Sequence, residues 1–160
     1  MGHRVRTVAT ELWCKDKNIE IDKEILERDV RGVYGFFIDL PQGEECVYIG
    51  KAINIRYRMY EHFSFVKFNS MELLAEEASE HIKHLTNAIN NKYKIKVKLL
   101  KSVKYEGDNY NRDLHRLAFA EYCFIEKYQR MGQCLHQRPE GSFNEQEYNV
   151  WLDTYCRNDT

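Results

Sequence analysis

The sequence predicts an α+β domain: a small three-stranded antiparallel or mixed sheet flanked by helices, in the order β-β-α-α-β-α-α. Three observations carry this. Two β-rich runs, residues 32–39 and 45–50, are joined by Leu40-Pro41-Gln42-Gly43-Glu44. Proline fixes its own φ and glycine supplies a positive one, so the pair reads as an antiparallel hairpin. A third run, Lys94-Ile-Lys-Val-Lys-Leu99, alternates strictly between lysine and apolar residues, the period of a strand. The remaining segments place apolar residues three and four apart, the spacing of one helical face.

Taken in order, residues 1–17 show little periodicity, and Asp22 can cap a short helix to Arg28 with Ile25 and Leu26 turned inward. After the hairpin, Asn54 can cap a helix from about Ile55 to Val66, on which Arg58 and His62 are four apart and point the same way. Asn69 followed by Glu72 has the form of a capping box for a second helix to about Asn90. Its stripe is Leu74, Ala78, His81, Leu85 and Ala88. Beyond the lysine strand and the turn at Glu106-Gly107-Asp108-Asn109, Asn111 can cap a helix ended by Gly132, and Ser142 with Glu145 opens a last one. The last helix carries a stripe of Tyr148, Trp151, Leu152 and Tyr155.

The length of 160 residues suits one domain, and 31% charged against 43% hydrophobic residues excludes a disordered chain. No apolar run is long enough to span a membrane, the first residues lack the apolar core of a signal peptide, and the myristoylation pattern fails at Arg6. Five cysteines with no C-x-x-C spacing suit a reduced, cytoplasmic protein. The net charge of −1 gives no overall basic footprint, so a nucleic-acid partner would need a basic face set apart from an acidic one.

Three local features bear on chemistry. Lys94, Lys96 and Lys98 share one side of their strand; this reads either as an edge blunted against aggregation or as a surface for phosphates. Glu121 lies in the middle of an otherwise apolar stripe of Leu114, Leu117, Phe124 and Tyr128, where a charge is costly unless paired or bound to metal. His81 and His84 are three apart on a helix, but no cysteine or carboxylate joins them at a zinc spacing, so they read as one core-edge and one surface histidine.

The hairpin and the helix after it carry a further pattern. Gly32-Val33-Tyr34 opens the first strand, Tyr48-Ile49-Gly50 closes the second, Lys51 follows, and Arg58 and His62 come eight and twelve residues after Gly50. Between about Gly32 and Gly141 the chain resembles the GIY-YIG nuclease superfamily. The resemblance implies that fold, and hydrolysis of phosphodiester bonds in DNA. It places Tyr34, Tyr48, Lys51, Arg58, His62 and Glu121 in the catalytic centre, with Tyr34 orienting or deprotonating water and Arg58 clamping the phosphate. Glu121 would hold the metal, Mg²⁺ with Mn²⁺ as a substitute. A free phenol titrates near 10, so a basic Tyr34 needs a cation beside it, and Lys51 is the expected one. Where the family often has asparagine, this chain has His136 nearby, with Asn144 as a second possibility. His136, Arg56, Lys94, Lys96 and Lys98 are the expected contacts to nucleic acid. A nuclease that cuts both strands often pairs with itself, and Trp151 and Tyr155 could serve such a homodimer. The alternative function is a catalytically weakened or inactive nucleic-acid-binding module on the same fold.

Overall fold

The computed structural model describes residues 2–72, 79–138 and 145–155. Leu74, Ala78, Ser142, Asn144 and Cys156 therefore lie outside the described residues. The elements are α1 (Gly2–Asp16), β1 (Ile19–Ile21), α2 (Lys23–Glu27), β2 (Gly32–Leu40), β3 (Gly43–Ala52), α3 (Ile55–Glu72), α4 (Glu80–Asn90), β4 (Ile95–Ser102), α5 (Tyr110–Arg130) and α6 (Glu145–Tyr155). The class is α+β: a four-stranded mixed sheet flanked by helices, in the strand order β1-β4-β2-β3. No helix among the described residues is long and apolar enough to cross a membrane.

The expected sheet gains a strand. β2 pairs antiparallel with both β3 and β4, and the three residues of β1 add a parallel edge against Ile95–Val97. So β4 is interior, and its lysines do not blunt an edge. Asp22, just past β1, does not cap α2 with its side chain; it accepts a hydrogen bond from the Leu99 backbone N–H at 2.8 Å instead. The helix α1, in a segment without clear periodicity, packs on α3, with Cys14 buried and Glu11 accepting from the Tyr60 hydroxyl at 2.7 Å.

Two apolar layers sandwich the sheet. On one face Tyr34, Phe36, Ile38, Ile95 and Val97 pack with Ile55, Met59 and Phe63 of α3 and with Ile82, Leu85 and Ala88 of α4. On the other, Val33, Phe37, Cys46 and Ile49 pack with Leu117, Ala120 and Ile125 of α5. Asn54 caps α3 as expected, accepting from the Tyr57 backbone N–H. No helix starts at Asn69 as expected: α3 runs on through it to Glu72, and α4 begins after Ser79. Asn109, not Asn111, caps α5, and Gly132 takes the positive φ of 79° that ends it.

The remaining edge, β3, is covered by residues 131–138. Gln133 accepts from the Cys46 N–H and Gln137 from that of Ile49, while Gln137 also donates to the Ile49 carbonyl. Two glutamine side chains thus take the place of a strand on an otherwise open ladder. The same contact brings the free thiols of Cys46 and Cys134 to 3.3 Å. At the other end of α5, Asp113 is fully buried and accepts from the N–H groups of Glu106 and Gly107 and from the Trp151 indole. Trp151 and Tyr155 also lie within 6 Å of each other's rings, and Tyr155 packs on Tyr105. These aromatics, read from the sequence as a dimer surface, hold α6 to the rest of its own chain.

Candidate functional site

The site grows from the pleat of the hairpin. Cross-strand partners point to the same face. Tyr34 lies opposite Gly50, and Phe36 opposite Tyr48, so both tyrosines face α3. Gly50 has no side chain, and this is what admits the Tyr34 ring: a Cβ there would stand 2.5 Å from the Tyr34 Cζ. The ring is fully buried, and its hydroxyl meets His62 Nε2 at 2.8 Å.

Burial sets the protonation of this pair. It raises the Tyr34 pKa well above the phenol value, with Tyr48 adding to the rise and the positive charge of Arg58 opposing it. Burial likewise lowers His62 to about 3, helped by His81 and Arg58. At neutral pH the phenol therefore keeps its proton beside a neutral imidazole. With the imidazole hydrogen on Nδ1, Nε2 accepts from the phenol; with it on Nε2, the ring donates to the phenol oxygen.

Arg58, one helical turn before His62, is half exposed and forms an ion pair with Glu61 at 2.7 Å. It supplies the positive charge beside Tyr34 that the sequence reading assigned to Lys51. Lys51 is instead paired with Val33, so the pleat turns it to the opposite face from Tyr34. It shares a cavity with Arg58 instead: Lys51, Asn54, Tyr57, Arg58, Glu61 and Glu147 line one of 330 Å³.

A residue that sequence reasoning placed only in a stripe, His81, completes the layer. Its ring stacks on Tyr48 at 4.2 Å and meets His62 edge-on at 5.2 Å. Ser79 Oγ lies 3.2 Å from His81 Nδ1. Burial lowers the His81 pKa to about 4, with His136, Arg58 and His84 adding to the effect. The signal was in the sequence: a polar ring on an apolar stripe, the same anomaly that marks Glu121.

The other expected residues are dispersed. Glu121 is buried on α5, one turn from each of the buried Leu117 and Ile125, in the helix that covers the opposite face of the sheet. Lys96 and Lys98 also point to that face, across from Phe37 and Gly35. They are neutralised there: Lys96 pairs with Asp39 and Glu44 at 3.3 Å, and Lys98 with Glu44 at 2.5 Å while lying over the Phe37 ring. Lys94 pairs with Glu20 at 3.0 Å. Arg56 is bound to Asp29 at 2.6 Å and so braces the start of α3. His136 is exposed in the turn after α5, its ring 5.9 Å from that of His84.

No cluster of three or more metal-ligating side chains occurs among the described residues. Comparison with protein-family models, with curated proteins and with solved structures returned no match.

Proposed function

We propose that the chain is a metal-dependent endonuclease of the GIY-YIG type, hydrolysing phosphodiester bonds in DNA. The observation that carries the proposal is the hydrogen bond between the Tyr34 hydroxyl and His62 Nε2, set beside Tyr48 and the positive charge of Arg58. A neutral phenol backed by a neutral imidazole is a relay for one proton. In the closed site His62, lowered to about 3, is a weak acceptor. With the site opened to solvent, the attacking water gives its proton to the Tyr34 oxygen as Tyr34 passes its own to His62 Nε2, so no free phenolate is required. Arg58 takes the phosphate with its planar fork, and Lys51, on the same cavity wall, adds a second positive charge.

Glu121 is the side chain that would hold Mg²⁺. A single carboxylate fits that ion, which keeps several waters and completes its shell with phosphate oxygen. When bound, the metal would supply charge neutralisation to a phosphate, but from the α5 side of the sheet, across from Tyr34, so the described geometry does not join it to the Tyr34–Arg58 site.

The test is conversion of supercoiled plasmid with and without Mg²⁺ by the wild type, Tyr34→Phe, Arg58→Ala and Glu121→Ala. Cleavage that needs Mg²⁺ and is lost in all three supports the proposal. Wild-type protein that binds DNA without cutting it would favour a binding module. The full burial of Tyr34 speaks for that second reading, because a hydroxyl with no exposed surface meets a water only after the site opens.

A further inference from the structure

Four of the chain's six histidines, His62, His81, His84 and His136, converge on one place from three segments far apart in sequence. His62 serves Tyr34. The other three have no part in the reaction as proposed. His81 lines the site against Tyr48, and His84 and His136 lie outward of it, exposed, with rings 5.9 Å apart at 31°. The charges of His136 and His84 reach His81, as does that of Arg58. The four basic groups therefore form one continuous electrostatic neighbourhood running outward from Arg58.

The charged groups on the surrounding elements include Glu45 of β3, which points to the α4 face across from Ile38, and Arg138, two residues after His136. On α3 they are Arg58 and Glu61, and these two pair with each other. On α4 they are Glu80 and Lys83, which also pair, at 3.8 Å. Among the described residues no carboxylate forms an ion pair with His81, His84 or His136. Without an anion, like charges this close disfavour one another. A phosphate between them would reverse that balance and be held by imidazolium N–H donors.

We propose that His84 and His136, with His81 behind them, form a second phosphate subsite, which takes a backbone phosphate neighbouring the one held by Arg58. This rests on the reading of the substrate as a polynucleotide. Histidine is the side chain whose charge changes across physiological pH, so pH is the variable that tests the subsite.

The experiment uses the full chain in a chelating buffer without Mg²⁺, so that nothing is cut. A short fluorescein-labelled DNA duplex is titrated with wild type, His84→Gln/His136→Gln and His84→Lys/His136→Lys, across salt concentration at about pH 6 and pH 8. Both histidines are exposed, and circular dichroism melting confirms that the variants fold. The wild type is expected to bind about tenfold more tightly at the lower pH. The glutamine pair should lose that gain, and its salt slope should flatten by about one to two phosphate contacts. The lysine pair should bind tightly at both values. A glutamine pair that keeps the wild-type affinity, salt slope and pH dependence overturns the subsite, while plasmid cleavage by the wild type would still uphold the nuclease reading. Tight, pH-dependent binding without any cleavage would do the reverse. A wild type that neither binds nor cuts DNA overturns both.

Discussion

Gly50 lies directly across the hairpin from Tyr34, and the phenol ring occupies the space where a Gly50 side chain would be. The glycine is therefore fixed by the tyrosine and not by its own backbone, and the two motifs are one device read from two strands. Gly50→Ala must push the ring away from His62. Overpacking of this kind costs about 1–3 kcal/mol. We expect a stability loss in that range and, if the nuclease reading holds, a loss of cleavage comparable with that of Tyr34→Phe, about 10²- to 10⁴-fold. Urea denaturation and single-turnover kinetics measure the two. A variant of full activity would mean that the position of the Tyr34 hydroxyl is immaterial.

The Tyr34–His62 pair also makes a pH prediction. The His62 pKa falls from 6.5 to about 3, and that of His81 from 6.5 to about 4. Below 6.5 the unfolded chain binds protons that the folded one refuses, so stability falls as pH drops through this window and is complete above it. The loss for His62 should be on the order of a few kcal/mol by about pH 4. Denaturant midpoints of wild type and His62→Gln, followed from neutral to acid pH, check it. The glutamine variant should be less stable at neutral pH and decline less. Parallel curves would show that His62 is protonated in the folded state, and the proton relay would then have no acceptor.

Much of this site was legible because its parts are local. The hairpin turn, the alternation of β4, the cap at Asn54 and the i, i+4 relation of Arg58 and His62 all lie within short windows of sequence. What failed was set by tertiary contact. Lys96 and Lys98 read as a basic surface because their partner, Glu44, is more than fifty residues away. Their strand read as an edge because β1, only three residues long, is too short for a period to show. Lys51 follows the second motif immediately and so looked near Tyr34, yet one step along a strand reverses the face. Asn69 and Glu72 fit a capping box by residue type, but nothing in the chain there stops α3. The anomalous Glu121 and His81 were visible as polar breaks in apolar stripes, and a stripe does not say which layer of the sandwich it joins.

The lysine strand now carries a prediction opposite in sense to its appearance. Lys96 and Lys98 are held by carboxylates on the face away from Tyr34 and Arg58. Lys96→Gln/Lys98→Gln should leave DNA affinity and its salt dependence unchanged. These pairs are solvent-screened, so each contributes little to stability. Anisotropy titrations across salt, with a melting curve as control, decide this. A flatter salt slope in the variant would bring the strand back as a phosphate contact.

The last prediction concerns the attachment of α6, which places Glu147 on the cavity shared by Lys51 and Arg58. Asp113 is buried at the start of α5, and the Trp151 indole donates to its Oδ2 at 2.6 Å. Burial works to raise the Asp113 pKa, but hydrogen bonds from Glu106 N–H, Trp151 and Gly107 N–H, with the charge of Arg31, outweigh it and hold the pKa below the carboxylate range. A carboxylate depressed in this way contributes stability above its unfolded pKa of about 3.9 and loses it as pH falls through the lower folded value. Trp151→Phe keeps most of the ring contact with Tyr148 and Tyr155 but removes the donor. One hydrogen bond to a buried charge is worth about 1.5–3 kcal/mol, so the variant should be destabilised by that order at neutral pH. The deficit should shrink in strong acid, where the carboxylate is protonated in both proteins. Hydrogen exchange should show α6 opening while β2, β3 and α3 stay protected, because Tyr34, His62 and Arg58 do not depend on it. If Trp151→Phe leaves α6 as protected as in the wild type, the aromatic contacts alone secure the helix, and the indole N–H is incidental.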